Sequence, residues 1–257
     1  MKNTITLLIA GMCLLAAGTA HATLEAYTGE TYDWVAYNNM TSVYSGSTPP
    51  NITEFTIDTD YDSAPGSRPP YDPEGELVKF SGGVGTGVTL TVDWSGSQLF
   101  IAPQAKAAPP VLFDVMGASY DDVMVLHYEN STQLLTFTGL DPAATYTFAG
   151  VPTGTSGHFD CLSSVELVGT DAATNQSVLT ANEVLAAFPD YGMTATSMSI
   201  SYVSDDLAMW SGISPGADGV FSVLVTNVDM GTREWGIGFD AIALALEGGG
   251  VVPPENS

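Results

Sequence analysis

The chain has 257 residues and carries 29 acidic side chains against 5 basic ones, a formal net charge of −24, with 10% aromatic residues and 2 cysteines. A surface of that sign repels phosphate backbones and anionic lipid, which are held by clustered cations, so nucleic acid and membrane surfaces are excluded as partners. The length suits one large β-domain, because sandwiches run to about 200–250 residues as a unit.

Lys2, the apolar run 5–17 and Ala20-His21-Ala22 supply the charged start, greasy middle and small-residue cleavage site of a secretory signal peptide. The run is shorter than the ~20 residues a bilayer span needs. Residues 1–22 are therefore set apart from the fold, and the chain is expected to be secreted, with no membrane insertion after cleavage. Removal of Cys13 leaves Cys161 as the lone thiol, so no intrachain disulfide is expected. Residues 23–247 read as a single β-sandwich domain, and 248–257 as a flexible Gly/Pro tail.

Short alternating runs separated by Gly, Pro, Asn, Asp and Ser predict strands over 34–37, 54–58, 88–94, 122–128, 134–138, 145–151, 161–168, 198–203, 219–227 and 234–246. In Val88-Thr-Leu-Thr-Val-Asp-Trp94 apolar and polar residues alternate without a break, so one face packs and the other is wet. The run 219–227 alternates less cleanly and predicts a strand covered on both faces, or nearly so. One short helix is predicted over 180–188, from the capping-box spacing of Thr180 and Glu183 and the stop at Pro189. Two segments, 59–75 and 103–120, are long for loops inside a compact domain, which makes them the expected place for a ligand surface.

Leu135-Thr-Phe-Thr-Gly-Leu-Asp-Pro142 leads into Ala143-Ala-Thr-Tyr-Thr-Phe148. Pro142 fixes φ, Asp141 bonds the backbone ahead of it, and Tyr146 stands where a sandwich-corner tyrosine returns a hydrogen bond to upstream backbone. The stretch is expected to be a structural corner at which the chain crosses between sheets. Together with Tyr37-Asn-Asn39, Asp171-Ala-Ala-Thr-Asn175, Trp210 to Phe221 and Trp235-Gly-Ile-Gly-Phe-Asp-Ala-Ile-Ala-Leu244, it resembles secreted galactose-binding-like jelly-roll modules of environmental bacteria. The resemblance implies an all-β, jelly-roll-like antiparallel β-sandwich and no particular activity. It also implies that Asp240, in the last strand, is a structural calcium ligand, with Glu25 as its partner.

Catalytic constellations are sparse. Gly157-His-Phe-Asp-Cys161 sets a histidine beside a thiol, but consecutive residues on an extended chain point apart, and Cys–His catalysis pairs residues that meet in space. No His-Glu-x-x-His helix or Gly-rich phosphate loop occurs. No catalytic residue is assigned. Asp58, Asp60 and Asp62 alternate like the start of a calcium loop, yet Ser63 and Pro69 stand where that loop needs Gly and Glu. They are kept as calcium candidates beside an ordinary acidic loop. Sugar recognition needs flat rings beside hydrogen-bonding groups, which singles out Tyr71, Trp34 and Trp235, with Trp210 assigned to the core. The leading expectation is a non-catalytic module for extracellular polysaccharide or glycan, with structural calcium. One alternative is a structural or cell-surface module that contacts a surface protein and recognises no sugar. The other is a glycoside hydrolase using a carboxylate pair.

Overall fold

A computed structural model describes residues 32–39, 51–54, 74–95, 99–103, 122–127, 132–152, 162–177, 193–201, 207–228 and 235–248. The strands in chain order are β1 (Tyr32–Asn39), β2 (Thr53–Glu54), β3 (Glu74–Val78), β4 (Gly85–Ser95), β5 (Leu99–Pro103), β6 (Asp122–His127), β7 (Thr132–Thr138) and β8 (Tyr146–Pro152). They continue with β9 (Leu162–Val168), β10 (Thr170–Asn175), β11 (Ser197–Ser201), β12 (Ala208–Pro215), β13 (Phe221–Asn227), β14 (Trp235–Ile237) and β15 (Phe239–Glu247). The described residues contain no helix, and the helix predicted over 180–188 lies outside them.

Two six-stranded sheets form an all-β sandwich. Sheet 1 has the order β10-β12-β8-β15-β1-β2, and sheet 2 the order β11-β9-β13-β7-β4-β3. A third sheet, β14-β6-β5, is smaller. The strand pairs are antiparallel except the short β1·β2 contact. From β7 to β13 the chain changes sheet at every step, so each connection crosses the sandwich.

Alternation explains which residues meet inside. Val88, Leu90 and Val92 of β4, Leu135 and Phe137 of β7, and Phe221, Val223 and Val225 of β13 form the inner face of sheet 2. Ala36, Phe148, Trp210, Ile242 and Leu244 answer from sheet 1. The rings interlock: Phe137 stacks on Phe221 at 4.9 Å and meets Phe148 across the sandwich edge-on at 5.9 Å, and Phe148 also touches Phe239 edge-on at 5.8 Å. Such pairs add about 0.5–1.5 kcal/mol each beyond the area they bury.

Sheet 1 is buried on its other face as well. Val35, Tyr37, Ala149, Val151, Met209, Ala241, Ala243 and Ala245 form a second apolar cluster there. Part of its cover is Phe80, whose N–H donates to Val35 O at 2.7 Å and whose ring meets Tyr37 edge-on at 5.1 Å. Burial on both faces explains why β15 reads Ala-Ile-Ala-Leu-Ala-Leu without a polar interruption: large residues point into the main core and alanines into the closer second one. Burial on both faces is fuller in β15 than in β13, which was expected to be covered on both faces or nearly so. In β13 the inward residues are buried, whereas Ser222, Leu224 and Thr226 are half-buried by their cross-strand neighbours.

The predicted corner is present. Asp141 N–H donates to the Tyr146 hydroxyl at 2.8 Å, Asp141 Oδ1 accepts from Ala143 N at 2.9 Å, and the turn begins at Gly139 with φ 78°. It carries the chain from β7 in sheet 2 to β8 in sheet 1. A second crossing is a bend rather than a loop. Gly169, at φ 76°, separates β9 from β10, and the left-handed conformation that glycine adopts freely turns one continuous stretch from sheet 2 into sheet 1. The run predicted as one strand over 234–246 is divided at Gly238: β14 joins the third sheet and β15 joins sheet 1, with a bulge between Phe239 and Ala241.

Candidate functional site

Polar side chains fasten β15 at both ends, one across the sandwich and one within sheet 1. Gln133, fully buried on β7, uses its amide like a short strand: Oε1 accepts from Phe239 N at 2.9 Å and Nε2 donates to Phe239 O at 3.3 Å. At the other end of β15, Glu247 accepts from Thr147 Oγ1 at 2.6 Å, Gly212 N at 2.7 Å and Thr145 Oγ1 at 2.8 Å. Trp210 is wholly buried and its indole N–H donates to Ala195 O at 3.1 Å. Burial raises the Tyr146 phenol above its ordinary pKa; the hydrogen bond from Asp141 N–H opposes that rise and the Asp141 charge adds to it. Tyr37 is raised further, by burial first and by Tyr32 second, and among the described residues its hydroxyl has no hydrogen-bond partner.

The sugar-stacking candidates do not converge on one described surface. Trp34 is partly buried, packs on the main core and lies 6.3 Å from the Tyr146 ring, so it roofs the corner. Trp235 lies in β14 opposite His127 of β6, a register position on the small sheet. Tyr71 lies outside the described residues, as do His158 and Cys161.

Of the calcium candidates, one lies among the described residues. Asp240 occupies the bulge at the start of β15, and Glu25, Asp58, Asp60 and Asp62 lie outside the described residues. Among the described residues no three His, Cys, Asp or Glu side chains form a group that would hold a metal ion, and no helix is long and apolar enough to cross a membrane.

The described surface of greatest regularity is the outer face of sheet 2. Strand register places its side chains in rows that cross the strands. One row runs Glu74, Thr91, Thr136, Ser222, Val168, and the next Asp93, Leu134, Leu224, Glu166, Ser197. Five strands at about 4.8 Å spacing make each row roughly 19 Å long. Thr136 and Ser222 share a hydrogen bond at 3.0 Å. Leu134 and Leu224 sit side by side at the centre of the second row, half-buried, with the exposed carboxylates of Asp93 and Glu166 at either side. No aromatic or cationic side chain stands on this face among the described residues. Three strand spacings separate Asp93 from Glu166 at the backbone, about 14 Å. Glycosidase pairs work at roughly 5–9.5 Å, so these two do not form one.

No family model, curated protein or solved structure matches the chain.

The rows were legible only in part. The outward Thr residues of β4 and β7 follow from their alternation, but which residues lie side by side depends on register between strands distant in sequence. Gln133 and Glu247 carry no local signal, because their partners lie 35 to 106 positions away in the chain.

Proposed function

We propose that this chain is an exported, non-catalytic interaction module that contacts a protein of neutral or cationic surface through the outer face of sheet 2. One observation carries the reading: the described indole and phenol rings of Trp34, Tyr37, Tyr146 and Trp210 are committed to packing, whereas the regular water-facing surface consists of hydroxyl rows around Leu134 and Leu224 with carboxylates at the flanks. An aliphatic centre inside a polar rim is the anatomy of a protein contact. Carboxylates without cations beside them favour a partner of complementary sign and repel an anionic one. The jelly-roll resemblance fits such a module and is an analogy of fold alone.

Extracellular polysaccharide is the second reading, and the same rows favour it in one respect. Hydroxyls and carboxylates are suitable partners for sugar hydroxyls, and calcium belongs with that reading through Asp240. Its difficulty is energetic, since hydroxyl contacts exchange water for sugar at little net gain without a ring to bury. Both are tested by binding the purified chain to envelope preparations of its own cells, untreated, protease-treated, or stripped of polysaccharide. Binding is expected to be lost after protease treatment and in a Leu134→Glu/Leu224→Glu variant of unchanged melting temperature, and to survive polysaccharide removal. Binding that survives protease, needs calcium and disappears in Tyr71→Ala would overturn this reading in favour of the sugar.

A further inference from the structure

We infer that β15 is a folding latch: the sandwich closes only when this strand, the last of the described strands in chain order, is delivered to the middle of sheet 1. Its position makes the case. β15 lies between β8 and β1, pairing with β8 from Phe239 to Leu246 and with β1 from Ala241 to Glu247. Apart from β15, the described residues pair β1 with the two residues of β2, the single bridge of Ala36 to Lys79 and the Phe80 N–H to Val35 O bond. Until residues 239–247 arrive, most of β1 lacks its strand partner among the described residues, and β8 has an open edge.

The packing adds a second reason. Phe239, Ile242 and Leu244 enter the main core, and Ala241, Ala243 and Ala245 enter the second cluster, so one strand supplies both sides of sheet 1. Without it both cores are open along their middle. The polar fasteners add a third. The Gln133 amide meets Phe239 at one end of the strand, and Glu247 meets Thr145, Thr147 and Gly212 at the other. Both ends of β15 are thus fixed by groups on strands made earlier.

The sequence separation of these contacts, from Tyr32 to Glu247 in the extreme, requires the entropy of closing the whole chain before they stabilise anything. A chain of this acidity stays dispersed while open through self-repulsion. For a chain read as exported, the device keeps it threadable until the sandwich is fully across.

The full chain, held at its C-terminus on the ribosome through linkers of increasing length after Ser257, tests the latch by brief protease treatment. Protease resistance is expected to be lost whenever the linker is too short to free residues 239–247, and to appear in one step once it is long enough. Tyr32 faces Glu247 in register, so the ends of the sandwich can be joined. A permutant that joins them and opens between Glu54 and Glu74 puts the edge strands β1 and β2 last, after β15; it should become resistant at the short linker. Resistance of the native order at the short linker would overturn the inference, as would a permutant that folds only with the long one. A permutant that resists at no length leaves the native-order series to decide.

Discussion

Replacing Gln133 with Leu removes the amide that meets both main-chain polar groups of Phe239. Both residues are fully buried, so water does not take its place. Each buried main-chain group left unpaired costs about 1–3 kcal/mol, and the added apolar burial of Leu returns roughly 1 kcal/mol. The expected net loss is about 2–4 kcal/mol, a large share of the ~5–15 kcal/mol typical of a folded domain. With a urea slope of about 1–3 kcal/mol per molar, the unfolding midpoint should fall by roughly 1–2 M at unchanged slope. Gln133→Glu sharpens the test. It keeps an acceptor for Phe239 N–H but loses the donor to Phe239 O and buries a carboxylate, so it should be the weaker protein at neutral pH and recover part of the loss on acidification, when the protonated acid donates again. A Gln133→Leu midpoint indistinguishable from that of the unaltered chain would refute the reasoning, since Phe239 would then have other partners.

The two buried tyrosines should respond oppositely to loss of their hydroxyls. Tyr146→Phe leaves Asp141 N–H without its acceptor and should lower stability by about 1 kcal/mol, whereas Tyr37→Phe removes a buried hydroxyl that has no partner among the described residues and should leave the melting temperature unchanged or raised. Both phenols are raised above the ordinary value of 10.0. Below that value the phenols are neutral whether the chain is folded or unfolded, and stability is unaffected by them. As pH rises past it the unfolded chain ionises while these two stay protonated in the fold, so stability falls until their folded pKa values are reached. Ultraviolet titration of the 11 tyrosines should include at least two, Tyr37 and Tyr146, that ionise above the ordinary value; ionisation of both at the ordinary value with intact structure would contradict the burial assigned to them.

Alternation was the most reliable guide to this fold, because a half-buried strand writes its inside and outside faces into the sequence. β4 and β7 were legible for that reason, and so was the β7–β8 corner, where Pro142, Asp141 and Tyr146 act within a few residues of one another. β10, with the sequence Thr-Asp-Ala-Ala-Thr-Asn, escaped because an edge strand with outward side chains has no apolar rhythm to read. β3 escaped likewise, with Leu77 as its one buried residue. β12 was obscured by the irregularity between Trp210 and Ile213, which breaks the two-residue period. The division at Gly238 was hidden by uninterrupted apolar character on both sides. The outer rows of sheet 2 needed strand register, which local sequence does not specify when the paired strands are far apart in the chain. Of the ligand candidates, Trp34 shows the limit most plainly: an indole near the start of a strand serves a sugar face and a corner roof equally well until its neighbour Tyr146 is placed.

The account rests on β15 lying between β1 and β8 while the two sheets face each other across Phe137 and Phe148. Nuclear Overhauser contacts in the folded chain test this directly. Ala243 should show cross-strand contacts to both Tyr37 and Ala149, its register partners on either side, and the Phe137 and Phe148 rings, 5.9 Å apart, should contact one another. A pattern in which Ala243 meets only one of those strands, or in which the two rings share no contact, would contradict the sandwich and the latch built on it.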